Sequence, residues 1–216
     1  MKVSQLVALL ALAAAPLSAQ QPRVAVAPFE TEGSVGMSRE DFEALGRALG
    51  AVLTSEMADR RAGAASSVGA PVAARPGRLD VAAARDRAGK AGATLLVVGT
   101  LLDQYGDINV EARVLDAATG ASVVVVRGDP ALATREQLGE AVAELALRLS
   151  KEKAVGGVAE ARWRRTLSAA ALVQFGRGLR FEEAGDKGQA ATAYKAAIAA
   201  APTLAEAKAA LTRVGG

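Results

Sequence analysis

Neither cysteine nor histidine occurs anywhere in the 216 residues. Without cysteine there is no disulfide, no thiolate ligand and no sulfur to carry a lipid. Without histidine the commonest general base and metal ligand is missing as well. Aromatic residues make up only 3% of the chain, too few for a surface on which bases or sugars stack. Charge of one sign is also lacking: the formal net charge is +3, so no polyanion is implied and no nucleic acid is expected as a partner. No apolar run reaches the roughly 20 residues that a membrane-spanning helix needs. Neither a cofactor nor a metal is expected.

What is present begins with a leader. Lys2 supplies a short basic start, residues 6–15 are Leu, Val and Ala, and Pro16-Leu17-Ser18-Ala19 ends on a small residue before Gln20. That order reads as a secretory signal peptide over residues 1–19, cleaved after Ala19. Losing Lys2 lowers the net charge from +3 to +2. The expectation is a periplasmic or secreted protein held together by its core alone.

The most legible stretch is residues 94–127, read as three strands and two turns. Residues 94–102 form a nearly unbroken apolar run, as in a strand buried on both faces. Residues 108–115 alternate, with Ile108, Val110, Ala112 and Val114 on one face. Residues 122–127 are a β-branched run. Gly106-Asp107 and residues 116–120 carry turn chemistry.

Before this meander, residues 23–29 read as a strand ending at Pro28. A loop with Gly33 and Gly36 follows. Ser38 then caps a helix whose stripe is Phe42, Leu45, Leu49, Val52 and Leu53, ending near Arg61. Residues 68–74 read as a short edge strand or a loop. Asp80 caps a weaker helix through Lys90, which Gly92 ends. After the meander, Thr134 and Gln137 read as a capping box for a helix with Leu138, Val142, Leu145 and Leu149. The order β-α-β-α-β-β-β-α predicts an α/β domain over residues 20–150, with a parallel crossover extended by an antiparallel meander. Residues 151–158, with Gly156-Gly157, read as a linker. Residues 159–216 are all helix-forming, and three helices are expected there.

Two resemblances follow from these residues. Residues 24–29 (VAVAPF), Ala91-Gly92-Ala93 before Val97-Val98-Gly99-Thr100, and the hairpin over residues 112–120 resemble the TolB N-terminal-like, CsgG/FlgO/LpoB group of bacterial envelope proteins. The resemblance covers about residues 23–150. It implies a non-enzymatic domain that works in outer-membrane transport or docks onto other envelope proteins. The loops at 33–38 and 104–107 are too short for membrane-spanning hairpins of the roughly 9–11 residues a barrel strand requires. In the C-terminal part, Gly178, Phe181, Ala190, Tyr194, Ala197 and Pro202 stand at the spacing of one tetratricopeptide repeat. Gln174 and Arg177 replace its usual bulky positions. One repeat cannot bury its apolar face alone. Leu204, Ala207 and Leu211 are expected to cap one side. The other side must meet the α/β domain, a second copy or a partner.

Apparent catalytic motifs dissolve on inspection. Gly89-Lys90 lacks the Gly and Ser/Thr of a phosphate loop, and Gly176-x-Gly178 lacks a preceding strand. Ser150 and Lys153 have none of the companion motifs of a Ser-x-x-Lys enzyme. Asp103, Asp107 and Asp116 read as turn formers. The candidate interaction surfaces are the basic patch Arg162-Trp163-Arg164-Arg165 and a concave face near Gln174, Arg177 and Arg180. The functional expectation is a non-enzymatic exported adaptor that binds another envelope protein. Peripheral contact of the basic patch with the outer membrane belongs to the same reading. A self-associating structural component, joined through the face of the repeat or the edge at residues 122–127, is the second reading.

Overall fold

A computed structural model describes residues 23–33, 36–60, 65–69, 77–157 and 166–216. Residues 1–19 and the patch Arg162, Trp163, Arg164 and Arg165 lie outside them. The described residues form a mixed α/β fold around a six-stranded sheet. Its elements are β1 (Val24–Val26), β2 (Glu30–Gly33), α1 (Arg39–Arg60), β3 (Ala65–Ser67), α2 (Val81–Lys90), β4 (Leu95–Gln104), β5 (Asp107–Asp116), β6 (Ser122–Arg127), α3 (Leu138–Lys151), α4 (Ala169–Glu183), α5 (Lys187–Ala200) and α6 (Ala205–Gly215). The strands run β3-β1-β4-β5-β6, the first three parallel and the last two antiparallel.

The meander follows the expected pattern with shifted limits. In β5, Ile108, Val110, Ala112 and Val114 are buried on one face. Strand β4 is buried on both faces only from Leu95 to Gly99; beyond that point Thr100 and Leu102 are partly exposed. The cause is coverage. On one face α1 and α3 join Val97, Leu101, Val110 and Val114 in a large core. On the other face α2 supplies Ala84, Ala88 and the partly buried Val81, set over Leu96, Val98 and Leu115. A ten-residue helix rich in alanine shields one end of the sheet and leaves the rest to water.

One strand was not expected. Residues 30–33 read as the start of a loop because Pro28 closes the preceding apolar run. Instead the chain resumes pairing with β4, Glu30 beside Thr100 and Gly33 beside Asp103. The break between β1 and β2 is bridged by a helix: the Phe29 N–H donates to the Gly46 carbonyl at 2.9 Å. Gly46 and Gly50 make this possible, since a Cβ on either would press on the backbone of Phe29 or Ala27. Glu30 thereby becomes a buried carboxylate, accepting from the Leu79 N–H at 3.2 Å and from Arg113 at 3.4 Å.

Two further expectations need correction. Residues 68–74 read as a short edge strand or a loop: the edge strand is β3 at Ala65–Ser67, residues 68–69 follow it outside any strand, and residues 70–74 lie outside the described residues. Thr134 forms no capping box. Its hydroxyl donates to the Gln137 side chain at 3.1 Å, and a 3-10 turn at Arg135–Gln137 leads into α3. The caps at Ser38 and Asp80 are present, accepting from the amides of Asp41 at 3.2 Å and Ala83 at 3.0 Å.

Candidate interaction surface

Helix α4 presents two stripes, one buried and one partly exposed. Leu172, Phe175 and Gly176 face inward, and Gln174, Arg177 and Arg180 are partly exposed. Gly176 marks a close crossing with α1. A Cβ there would fall inside the contact distance of the Ala44 carbonyl, so two backbones meet with no side chain between them. Leu172 and Phe175 join the same core as Leu45 and Leu49 of α1. The open side of the helical hairpin is therefore filled by α1, one of the three occupants the sequence allowed. No second copy is needed to cover it.

Around this crossing stand ion pairs between the two elements. Arg177 meets Asp41 at 2.5 Å, Arg180 meets Glu40 at 2.6 Å, and Arg47 lies 3.8 Å from Glu183. Two of the three candidate residues are thus already engaged with acids in the first turn of α1. That first turn prefers negative charge, because its amides present the positive end of the helix dipole.

The hairpin closes on Gly178, whose missing Cβ leaves room for the Tyr194 ring. Phe175 and Tyr194 meet in a tilted arrangement, 5.9 Å between centroids with their planes 46° apart. The Tyr194 hydroxyl donates to Glu182 at 2.5 Å, and Arg213 of α6 donates to both oxygens of the same carboxylate at 2.5 and 2.8 Å. Hydrogen bonds from Arg213 and then Tyr194 hold the Glu182 carboxyl below its ordinary value. Burial, followed by the hydrogen bond to Glu182, raises the Tyr194 phenol. These are structural shifts, since each group is satisfied by its neighbours. Leu204, at the N-cap of α6, and Ala207 are buried as expected, and Leu211 is partly buried against the same core.

Between α4 and α5 lies a groove of about 290 Å³. Gln174, Arg177, Arg180 and Phe181 line one wall, Gln189 and Thr192 the other, and Glu40 closes one end. Gln174, Arg177 and Arg180 are brought together here. Gln189, Thr192 and Glu40 complete the groove, and nothing in their order along the chain marked them. The Arg180 guanidinium lies 5.0 Å from the Phe181 ring centroid. Each arginine keeps about a third of its side chain accessible and retains donors beyond those used on the acids. The groove is polar, nearly neutral and open, suited to hydrogen-bonded contact and poor in groups for chemistry.

A second, smaller cleft of about 200 Å³ lies between Pro28, Ser67, Leu179 and Arg213, outside the carboxyl ends of β1 and β3. Open α/β sheets commonly hold ligands at such ends. Its charged groups, Arg47, Arg213, Glu182 and Glu183, face one another. Among the described residues no group of three acidic residues is placed to hold a metal ion, and no helix is long and apolar enough to cross a membrane. Asp103 and Asp116 act in turns, accepting from Gly106 at 2.9 Å and Thr119 at 2.7 Å. Asp103 is in addition fully buried and paired with Arg135.

No known family description matches the sequence, and no curated protein matches it. Among solved structures, a point variant of the PelC dodecamer from Paraburkholderia phytofirmans is similar at 16% identity and a TM-score of 0.40, over 61% of this chain and 89% of that one. The PelC dodecamer of the same organism is similar at 14% identity and 0.38, over 60% and 86%. A likeness this slight carries no function across.

Proposed function

We propose that this chain is exported by its leader and acts in the cell envelope as a non-enzymatic adaptor. In this reading a TolB-like α/β domain carries a single tetratricopeptide-type hairpin, and another envelope protein docks in the groove between α4 and α5. The observation that carries the reading is how that groove is assembled. Its walls come from α4 and α5, its end from Glu40 of α1, and the docking of the hairpin on α1 sets the position of Arg177 and Arg180. A partner would meet a shaped surface with polar donors and one aromatic side, the composition that interfaces favour.

The test places a photo-crosslinking residue at Gln189 or Thr192, which line the groove without taking part in the ion pairs, and at exposed Lys208 of α6 as control. In the native host, the groove positions are expected to capture one envelope protein and the control position none. Equal capture at all three positions, or none at any, would remove the proposal. Intact mass of the chain recovered from the periplasm is expected to match a start at Gln20.

A further inference from the structure

Strand β6 is an edge of the sheet, with β5 on one side and no strand on the other among the described residues. Its ladder phase is set by the Gly128 N–H, which donates to the Val110 carbonyl at 2.8 Å, and by the pairing of Val126 with Ala112. Alternation in an antiparallel ladder then turns the N–H and C=O of Val124 and Val126 toward β5 and those of Val125 outward. Val123 and Val125 are 43% and 46% exposed. Apart from Tyr105, they are the large apolar residues that stand open among the described residues. The strand itself, Ser-Val-Val-Val-Val-Arg, holds no proline and no inward charge. Edges of this composition are ones that proteins usually blunt or pair.

We propose that the occupant of this edge is a second copy of the same chain, joined β6 to β6 in antiparallel fashion with Val125 on the two-fold axis. Self-complementarity of the strand favours that partner, and charge and area then set its direction and strength. A two-fold contact must be self-complementary, and with Val125 on the axis the cross-strand pairs are Val125 with itself, Val124 with Val126, and Val123 with Arg127. β-Branched pairs of this kind are favourable across strands. Charge decides the direction. In the antiparallel arrangement the two Arg127 side chains stand four residues apart along the strand, about 14 Å. That exceeds the screening length of about 8 Å at physiological salt, and each stays beside its own Glu111 at 3.4 Å. A parallel pairing in register would set them about 5 Å apart. Area decides the strength: two edges of about 20 Å bury well under roughly 1,200 Å², so the dimer is weak and concentration-dependent. The Arg127 carbonyl accepts from Arg148 at 3.4 Å, which marks the end of the available edge.

Sedimentation equilibrium of the purified chain is expected to show a reversible dimer half-formed at about 10 μM or above. Val125→Lys sets two ammonium groups face to face on the axis and is expected to weaken association at least tenfold with an unchanged melting curve. Val125→Thr keeps the backbone contact and the branched shape, and is expected to stay within about threefold of the parent. Hydrogen exchange at the Val125 amide is expected to slow as concentration rises. A wild-type chain that stays monomeric to about 1 mM would overturn the proposal and leave the edge for a foreign strand. So would a dimer that Val125→Lys leaves intact. Thr192→Arg, which fills the groove, is expected not to change the dimer, so failure here and failure of the adaptor reading are separable.

Discussion

Gly176 sits where the helical hairpin and the sheet-bearing part of the chain come nearest. Gly176→Ala is expected to force the backbones of α4 and α1 apart, at a cost of about 1–3 kcal/mol. Gly188, on the open side of α5, has only the Asp186 carboxylate within reach, at 3.7 Å. Gly188→Ala is expected to stabilise by about 0.5–1 kcal/mol through the loss of backbone freedom in the unfolded chain. Urea midpoints of the two variants should move in opposite directions. The Glu182, Tyr194 and Arg213 group gives a signed pH dependence. Glu182 has a folded value below its ordinary 4.5, so its contribution is complete above pH 4.5 and is lost as pH falls through the folded value. Tyr194 has a folded value above its ordinary 10.0, so its contribution is complete below pH 10 and is lost as pH rises beyond. Tyr194→Phe is expected to cost about 1 kcal/mol at neutral pH. The gap to the parent should narrow when the melts are repeated above pH 10.

At the scale of elements, the β4–β5 hairpin carries the sharpest local conflict. Gly106-Asp107 was the expected turn. The two turn residues are instead Tyr105 and Gly106, with φ of 57° and 100°, because Gln104 pairs with Asp107 across the hairpin. This is the backbone of a type I′ turn, where Asn-Gly is preferred and a bulky first residue is strained. Tyr105 is 91% exposed and gains nothing from packing. Tyr105→Asn is therefore expected to stabilise the chain by about 1 kcal/mol, read as a raised urea midpoint at unchanged slope. The turn holds in spite of Tyr105 because Asp103, fully buried, ties the Gly106 amide and Arg135 together. Spacing alone marked Asp103 as a turn former. Its pairing with Arg135, 32 positions away, is a contact that no local pattern records.

For the molecule as a whole, one core runs from β1 and α1 through α3 to α4, α5 and α6. A core shared this way should melt as a unit. Calorimetry is expected to show a single transition with equal calorimetric and van't Hoff enthalpies, whereas a hairpin that melted separately would give two. The ion pairs around the crossing are half-exposed, and each contributes at most about 1 kcal/mol. Replacing Arg47, Arg177 and Arg180 together by alanine is expected to preserve the single transition with only a modest loss of midpoint. Leu172→Ala, which empties part of the shared core, is expected to cost more, about 2–5 kcal/mol.

Much of this was legible in the chain. The alternation of β5, the β-branched run of β6, the caps at Ser38 and Asp80, and the stripes of α1 and α3 are local patterns, and local geometry fulfils them. Gln174, Arg177 and Arg180 were also marked as one helical face, and they do share a groove. Other features depend on which element lies beside which. Strand β2 exists because β4 offers it a pairing edge and Gly46 bridges the gap before it. Gly176 stood out in the chain as half of a failed Gly-x-Gly fingerprint and serves as the crossing with α1. Arg177 and Arg180 read as part of a concave interaction face and are paired with Asp41 and Glu40. Periodicity reports the face a residue occupies, since it follows from rise and twist along one segment. The identity of the neighbour is set by long-range packing, and no period along the chain encodes it.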